Sequence, residues 1–238
     1  MLAIIPARGG SKGLKRKNIR LLNGKPLIYY TVKAALHAKH ITQVIVSTDD
    51  EQIASYALEY GAKVPFMRPE NLATDESYAI DAVIWTLGKL RAPLVAYQEM
   101  HNSDQEWVYN EFAMLFPTSP LRTSEDIDNA IELFHEKQAD SVISYTESPW
   151  PLSYFTGIMP DDSFLPNLFT TNKLLNRQDY PRAYYRNGAI FVFNYEKTVK
   201  QRIFSTEKSY AYIMPREKSV DIDSVQDLKY AEYLMRSK

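Results

Sequence analysis

The chain of 238 residues is 45% hydrophobic and 24% charged, enough to bury one large core as a single domain over 1–238. Lys and Arg total 28 against 29 Asp and Glu, so the broad positive footprint of a general nucleic-acid binder is missing. With no cysteine, a disulfide framework, a thiolate nucleophile and the usual structural zinc site are excluded.

No apolar run reaches the length of a membrane span, and the start MLAIIPARGG reads as a strand rather than a basic leader. A soluble cytoplasmic protein is expected. Leu2 to Ile5 predicts a buried strand, ended by Pro6 and a Gly-rich turn. Beyond Asn23-Gly24, Pro26 opens a helix with Leu27, Ile28, Val32, Ala35 and Leu36 on one face. Val44 to Val46 is the next strand; Asp49 and Asp50 then cap a helix closed by Gly61. Val64 to Met67 reads as a third short strand and Ile80 to Leu90 as a helix. Arg91 to Asn110 is polar, dotted with aromatic residues and carries no clear period. The alternation resumes with strand Ala113 to Phe116, helix Glu125 to Lys137 and strand Ser141 to Tyr145. Strands Ala189 to Phe193 and Tyr210 to Met214 follow, then a last helix from Val225 to Arg236. Ser148 to Tyr184, rich in proline and aromatic residues, reads as an inserted subdomain or arm; a long ordered surface loop is the alternative.

Strands alternating with helices predict an α/β fold with a mostly parallel, doubly wound sheet. Ligands of such sheets bind beyond the carboxyl ends of the strands. Directly after the first strand lie Arg8, Gly9, Gly10, Ser11, Lys12, Gly13, Lys15, Arg16, Lys17 and Asn18. Glycines let backbone N–H groups approach an anion and the cations neutralise it, so this turn suits a phosphate; a solvated basic turn is the plainer reading. It is neither a P-loop nor the dinucleotide fingerprint. Asp221 and Asp223, separated by Ile222, point the same way on an extended segment, which suits one hard cation beside phosphates. Alternatively, Asp223 or Ser224 merely caps the last helix. The hydroxyls of Pro117-Thr118-Ser119-Pro120-Leu121-Arg122 suit a turn. Arg177-Gln178 and Asn187-Gly188, around Tyr184 and Tyr185, suit an anionic, hydroxyl-rich ligand. His37 and His40 have metal-ligand spacing but no evident third ligand.

Taken in order, AIIPARGGSKGLKRKNI, STDDEQIASYALEYGA, RPENLATD, PTSPLR, NGAIFVF and SVDIDSVQDL resemble the acylneuraminate cytidylyltransferases, the CMP-sialic acid synthetase family. The resemblance implies a Rossmann-like nucleotidyltransferase sheet in which a nine-carbon 2-keto acid sugar attacks CTP, giving a CMP-sugar and pyrophosphate. It implies triphosphate contacts from Arg8, Gly10, Ser11 and Lys17, with Asn18 beside the nucleotide and Arg68 at the cytosine. Asp221 and Asp223 match magnesium carboxylates, one of which also orients or deprotonates the sugar hydroxyl; Arg8 and Lys17 complete the expected catalytic set. Phe116, Arg177, Gln178, Tyr184 and Asn187 fall at the sugar pocket, and the 148–184 insert at the arm of a homodimer.

Two positions depart from the pattern. Phe116 stands where the family has glutamine, and Ala79 where a serine helps read cytosine. These departures keep open a catalytically silent nucleotide-binding or assembly protein, and a likeness near the N-terminus keeps open CMP-activation of an eight-carbon acid sugar.

Overall fold

The computed structural model describes residues 1–11, 13–101, 109–150, 176–203 and 205–237, with 92–101 and 177 as backbone alone. Six strands form the main sheet: β1 (Leu2–Pro6), β4 (Gln43–Ser47), β5 (Glu111–Met114), β6 (Ser141–Glu147), β7 (Tyr184–Asn194) and β8 (Ser209–Ile213). Their spatial order is β4-β1-β5-β7-β6-β8. β1 lies parallel to β4 and β5, and β6 parallel to β8, while β7 runs antiparallel to both its neighbours. The doubly wound, mostly parallel sheet therefore stands, with one reversed strand.

Every residue of β1 is buried, because the sheet is covered on both faces. Ala3 and Ile5 face a core built with Val32 of α1 (Leu27–His37), Ile53 of α2 (Glu51–Glu59) and Ile131 of α4 (Ser124–Glu136). Leu2 and Ile4 face the opposite core, with Val83 and Leu87 of α3 (Ala79–His101). A third cluster lies under the candidate site. It joins Leu14 of the basic turn, Leu22, Leu27, Leu121, Val220 and Ile222 to Leu228 and Ala231 of α5 (Val225–Arg236).

Most predicted elements are present, with shifted ends. Val64 to Met67 forms no strand: Lys63 and Met67 make single bridges to the β4 edge, and Pro65 between them has no N–H to continue a ladder. Asn23 and Gly24, both at positive φ, turn a small hairpin between β2 (Leu21–Leu22) and β3 (Lys25–Pro26) that sequence reading overlooked. Helix α3 continues to His101, through part of the stretch read as irregular; Gly88 and Pro93 inside it disguise the period. Of the 148–184 insert, residues 151–175 lie outside the described residues. The two ends are joined: Ser148 N–H donates to the Ala183 carbonyl at 2.8 Å, and Glu147 pairs with Tyr184. No helix among the described residues is long and apolar enough to cross a membrane.

Candidate active site

The basic turn after β1 is fastened from several sides. Gly9 N–H donates to Asp49 Oδ1 at 3.0 Å, and Asn18 Nδ2 donates to the Arg8 carbonyl at 2.8 Å. Arg16, in left-handed backbone, reaches Asp50 at 3.0 Å and Gln52 at 2.9 Å. Arg8 meets the Thr74 carbonyl at 2.6 Å and Asp75 at 2.8 Å, and Lys17 Nζ meets Asp223 Oδ1 at 2.6 Å. Gly13 passes so close to the last of these elements that a Cβ there would lie 2.7 Å from the Asp223 carbonyl oxygen. The turn and the Asp221–Asp223 segment are thus packed together across the sheet's carboxyl edge.

In that segment Val220 and Ile222 are buried in the third core cluster, so the alternating Asp221 and Asp223 side chains are turned outward. Ser224, not Asp223, caps α5: its Oγ accepts from Asp227 N–H, and Asp227 accepts from the Ser224 N–H and hydroxyl. The capping explanation of Asp223 is thereby removed. Asp221 is open to solvent on one side, yet the protein around it strips hydration and raises its carboxyl above the ordinary range. Thr118, donating to it, and Lys17 pull it back, while Asp223 and Asp227 add to the rise.

Two cavities adjoin here. The first, of about 330 Å³, is lined by Arg8, Ser11, Lys17, Asn18, Arg68 and Asp223, with Ser77, Ala79 and Phe116. Arg68 is buried and donates to the Ser47 carbonyl, while its Nε finds no partner among the described residues. Burial lowers its pKa to about 10, with Asp49 opposing and Arg8 reinforcing the shift. The second cavity, of about 550 Å³, shares Lys17, Ala79, Phe116, Thr118 and Asp223 with the first. It adds Asp221, Arg186 and an apolar floor of Met114, Ile143, Phe191 and Phe193. Phe116 stands edge-on to Phe191 with centroids 5.6 Å apart, and so belongs to the wall between the cavities.

A bulge in β7 builds part of the second cavity. Ile143 pairs with Phe191 but Tyr145 pairs with Arg186, so residues 187–190 of β7 oppose Ser144 alone. Gly188 takes φ +74 there, and a Cβ on it would stand 3.7 Å from Asp221 Oδ2. Asn187 holds the bulge from behind. Its Oδ1 accepts from Ser144 Oγ at 2.6 Å and from Ala189 N–H at 3.2 Å, and its Nδ2 donates to Ser219 Oγ at 2.8 Å. Arg122, 3% exposed, ties the bulge to the turn that follows β5 by donating to the Ala189 carbonyl at 2.6 Å and the Phe116 carbonyl at 3.3 Å. Burial pulls its pKa down to about 9, against the field of Asp126.

A family model described as Cytidylyltransferase matches residues 2–237. The chain belongs to the cytidylyltransferase family. It is 35% identical over 237 residues to the CMP-N,N'-diacetyllegionaminic acid synthase of Legionella pneumophila, covering 99% of this chain and 96% of that one. Identity to the N-acylneuraminate cytidylyltransferase of Streptococcus agalactiae serotype V is 36% over 228 residues, 95% of this chain and 51% of the other. The chain spans about half the length of the N-acylneuraminate relatives it matches. A solved CMP:2-keto-3-deoxy-manno-octonic acid synthetase complexed with CTP superposes with a TM-score of 0.68 at 15% identity, covering 99% of this chain and 98% of that one, which shows a shared fold.

In this member of the family, Arg8, Ser11, Lys17, Asn18, Arg68, Phe116, Asp221 and Asp223 come together around the two cavities. Gly10 is exposed on the turn and lines neither. The expected sugar residues are more scattered. Gln178 lines a separate cavity of about 800 Å³ beside Glu147 and Arg216, and Tyr184 is exposed at the start of β7. Asn187 is corrected from a sugar contact to a support, since it is buried and its side chain is spent on protein partners. The side chain of Arg177 lies outside the described residues. Sequence reading missed Arg186 and treated Thr118 and Arg122 as parts of a turn. An arginine inside an otherwise apolar-hydroxyl turn was the available signal for Arg122.

Proposed function

We propose that this cytidylyltransferase joins CTP to a nine-carbon 2-keto acid sugar of the sialic or legionaminic type. The observation that carries the reading is the pair of adjoining cavities with Lys17 and Asp223 in their common wall. One cavity has a cationic rim for a triphosphate and a buried arginine with a spare donor; the other has room for a sugar. In the reaction the anomeric hydroxyl attacks the α-phosphorus of CTP. A phosphorus–oxygen bond forms to the sugar, the bond to the β-phosphate oxygen breaks, and pyrophosphate carries away the electron pair.

Most of the work is positioning and charge neutralisation. Arg8, Ser11 and Lys17 bind the triphosphate, Asn18 braces the turn that presents them, and Arg68 faces the base. Triphosphate oxygens take over Arg8 from Asp75 and Lys17 from Asp223. Asp221, which lines the second cavity and not the first, receives the proton of the attacking hydroxyl. Two carboxylates side by side, with Asp227 engaged in the cap of α5, match the donor set of Mg²⁺, which takes one or two carboxylates and completes its shell with phosphate and water. Asp221 and Asp223 would hold that ion, which supplies positive charge beside the phosphates. The working form is a homodimer, acting in the cytoplasm where CTP is at hand.

With Mg²⁺ and CTP, pyrophosphate release is expected only when a 2-keto acid sugar is added. A panel of nine-carbon acids that yields no CMP-sugar overturns the reading, whether an eight-carbon acid is used instead or nothing is.

A further inference from the structure

The second cavity contains two cations, Lys17 and Arg186. Lys17 is already met by Asp223 at 2.6 Å. Arg186 is exposed, and among the described residues it has no carboxylate or hydrogen-bond partner; its guanidinium carbon stands 5.9 Å from the Phe191 ring centroid. On a regular strand, residues 186 and 191 point to opposite faces of the sheet. The bulge at 187–190 cancels that alternation and brings both to one cavity. A planar fork of donors, held against an aromatic wall and unanswered among the described residues, fits a carboxylate.

Resting on the acid-sugar reading above, we propose that Arg186 is the specificity-determining residue that recognises the carboxylate of the acceptor. In a 2-keto acid sugar the anomeric carbon bears both the carboxylate and the attacking hydroxyl. Arg186, Gly188 and Asp221 line the same cavity, with Gly188 packed towards Asp221, so a carboxylate held by Arg186 keeps the anomeric carbon within the cavity that Asp221 faces. The same contact that selects an acid over a neutral sugar therefore also sets the attack.

The test compares N-acetylneuraminic acid and N,N'-diacetyllegionaminic acid with their methyl esters, in wild type, Arg186→Gln and Arg186→Lys. Wild type should prefer the free acids. In Arg186→Gln the KM for the acids should rise by about thirtyfold while the KM for CTP stays within about twofold, and the preference for acid over ester should collapse. Arg186→Lys should recover part of that preference, because it keeps the charge and loses the fork. An unchanged acid-to-ester ratio in Arg186→Gln overturns the assignment, as does a rise confined to the KM for CTP. If wild type turns over none of these sugars, the functional reading fails and calorimetric binding of acid and ester decides the anchor separately. Binding of the acid that Arg186→Gln abolishes upholds it; no binding by wild type, or equal binding by the variant, overturns it.

Discussion

Ser224 relieves the two aspartates of any structural duty at α5, so their loss should be visible in turnover and nearly invisible in folding. Asp221→Asn and Asp223→Asn are each expected to lower kcat by about a hundredfold or more with a melting temperature within about 2 °C of wild type. Ser224→Ala should do the reverse, costing about 1 kcal/mol of stability and leaving kcat within about threefold. Steady-state kinetics and thermal melts on the three variants check this together. Phe116 makes a second expectation. A phenylalanine in the acceptor wall packs against apolar substituents and leaves a sugar hydroxyl or amide unpaired, at about 1–3 kcal/mol. The protein should therefore favour the legionaminic type over N-acetylneuraminic acid, and Phe116→Gln should move the ratio of the two kcat/KM values back by about tenfold or more. An unmoved ratio means that the ring serves the core alone. At this scale the outward pair of aspartates was legible because Val220 and Ile222 alternate with them. Arg186 was not: its placement depends on an irregularity of pairing that no residue period records.

Strand β7 and helix α4 carry the consequences for whole elements. Asn187→Ala would strip partners from Ser144, Ser219 and the Ala189 N–H, so a loss of about 2–3 kcal/mol is expected, together with a weakened grip on the acceptor. Urea titration and the KM for the sugar should move together. In α4, Asp126 closes a capping box with Thr123 and meets Lys218 at 3.0 Å. Burial pushes its carboxyl up, but the Thr123 hydroxyl and N–H and the Lys218 ammonium outweigh that and hold it below the ordinary range. A depressed folded value means that the group stabilises the fold above its unfolded pKa of about 3.9 and loses that contribution as pH falls through the folded value. Asp126→Asn should accordingly cost about 3 kcal/mol at neutral pH, and the gap to wild type should narrow below about pH 4 in urea titrations at stepped pH. Helices α1, α2, α4 and α5 were legible because each shows an apolar face and a cap or turn residue at its ends. The continuation of α3 was not, since Gly88 and Pro93 are the residues that ordinarily end such a reading.

For the molecule as a whole, the sheet was legible as an alternation of apolar runs, and the reversal of β7 was not, because antiparallel pairing leaves no trace in a buried run. The Pro- and aromatic-rich insert gives the expectation at this scale. Light scattering at micromolar concentration should return the mass of a dimer; a fully active monomer would rule out the homodimer.

The joined ends of that insert have a consequence for how such a protein can change over time. Because Ser148 and Ala183 are hydrogen-bonded at the mouth of an antiparallel pair, the chain between them leaves and returns at one point, beside the separate cavity of about 800 Å³ that both residues line. Closing a longer loop on a fixed base costs only about 0.6 kcal/mol for each doubling of its length. The stretch can thus be lengthened, shortened or replaced by a foreign one at little expense to the sheet. The residues lining the first cavity come mostly from the first third of the chain, between Pro6 and Ala79, and are untouched by such an exchange. A lineage could exchange that one segment and leave the linings of both site cavities as they are.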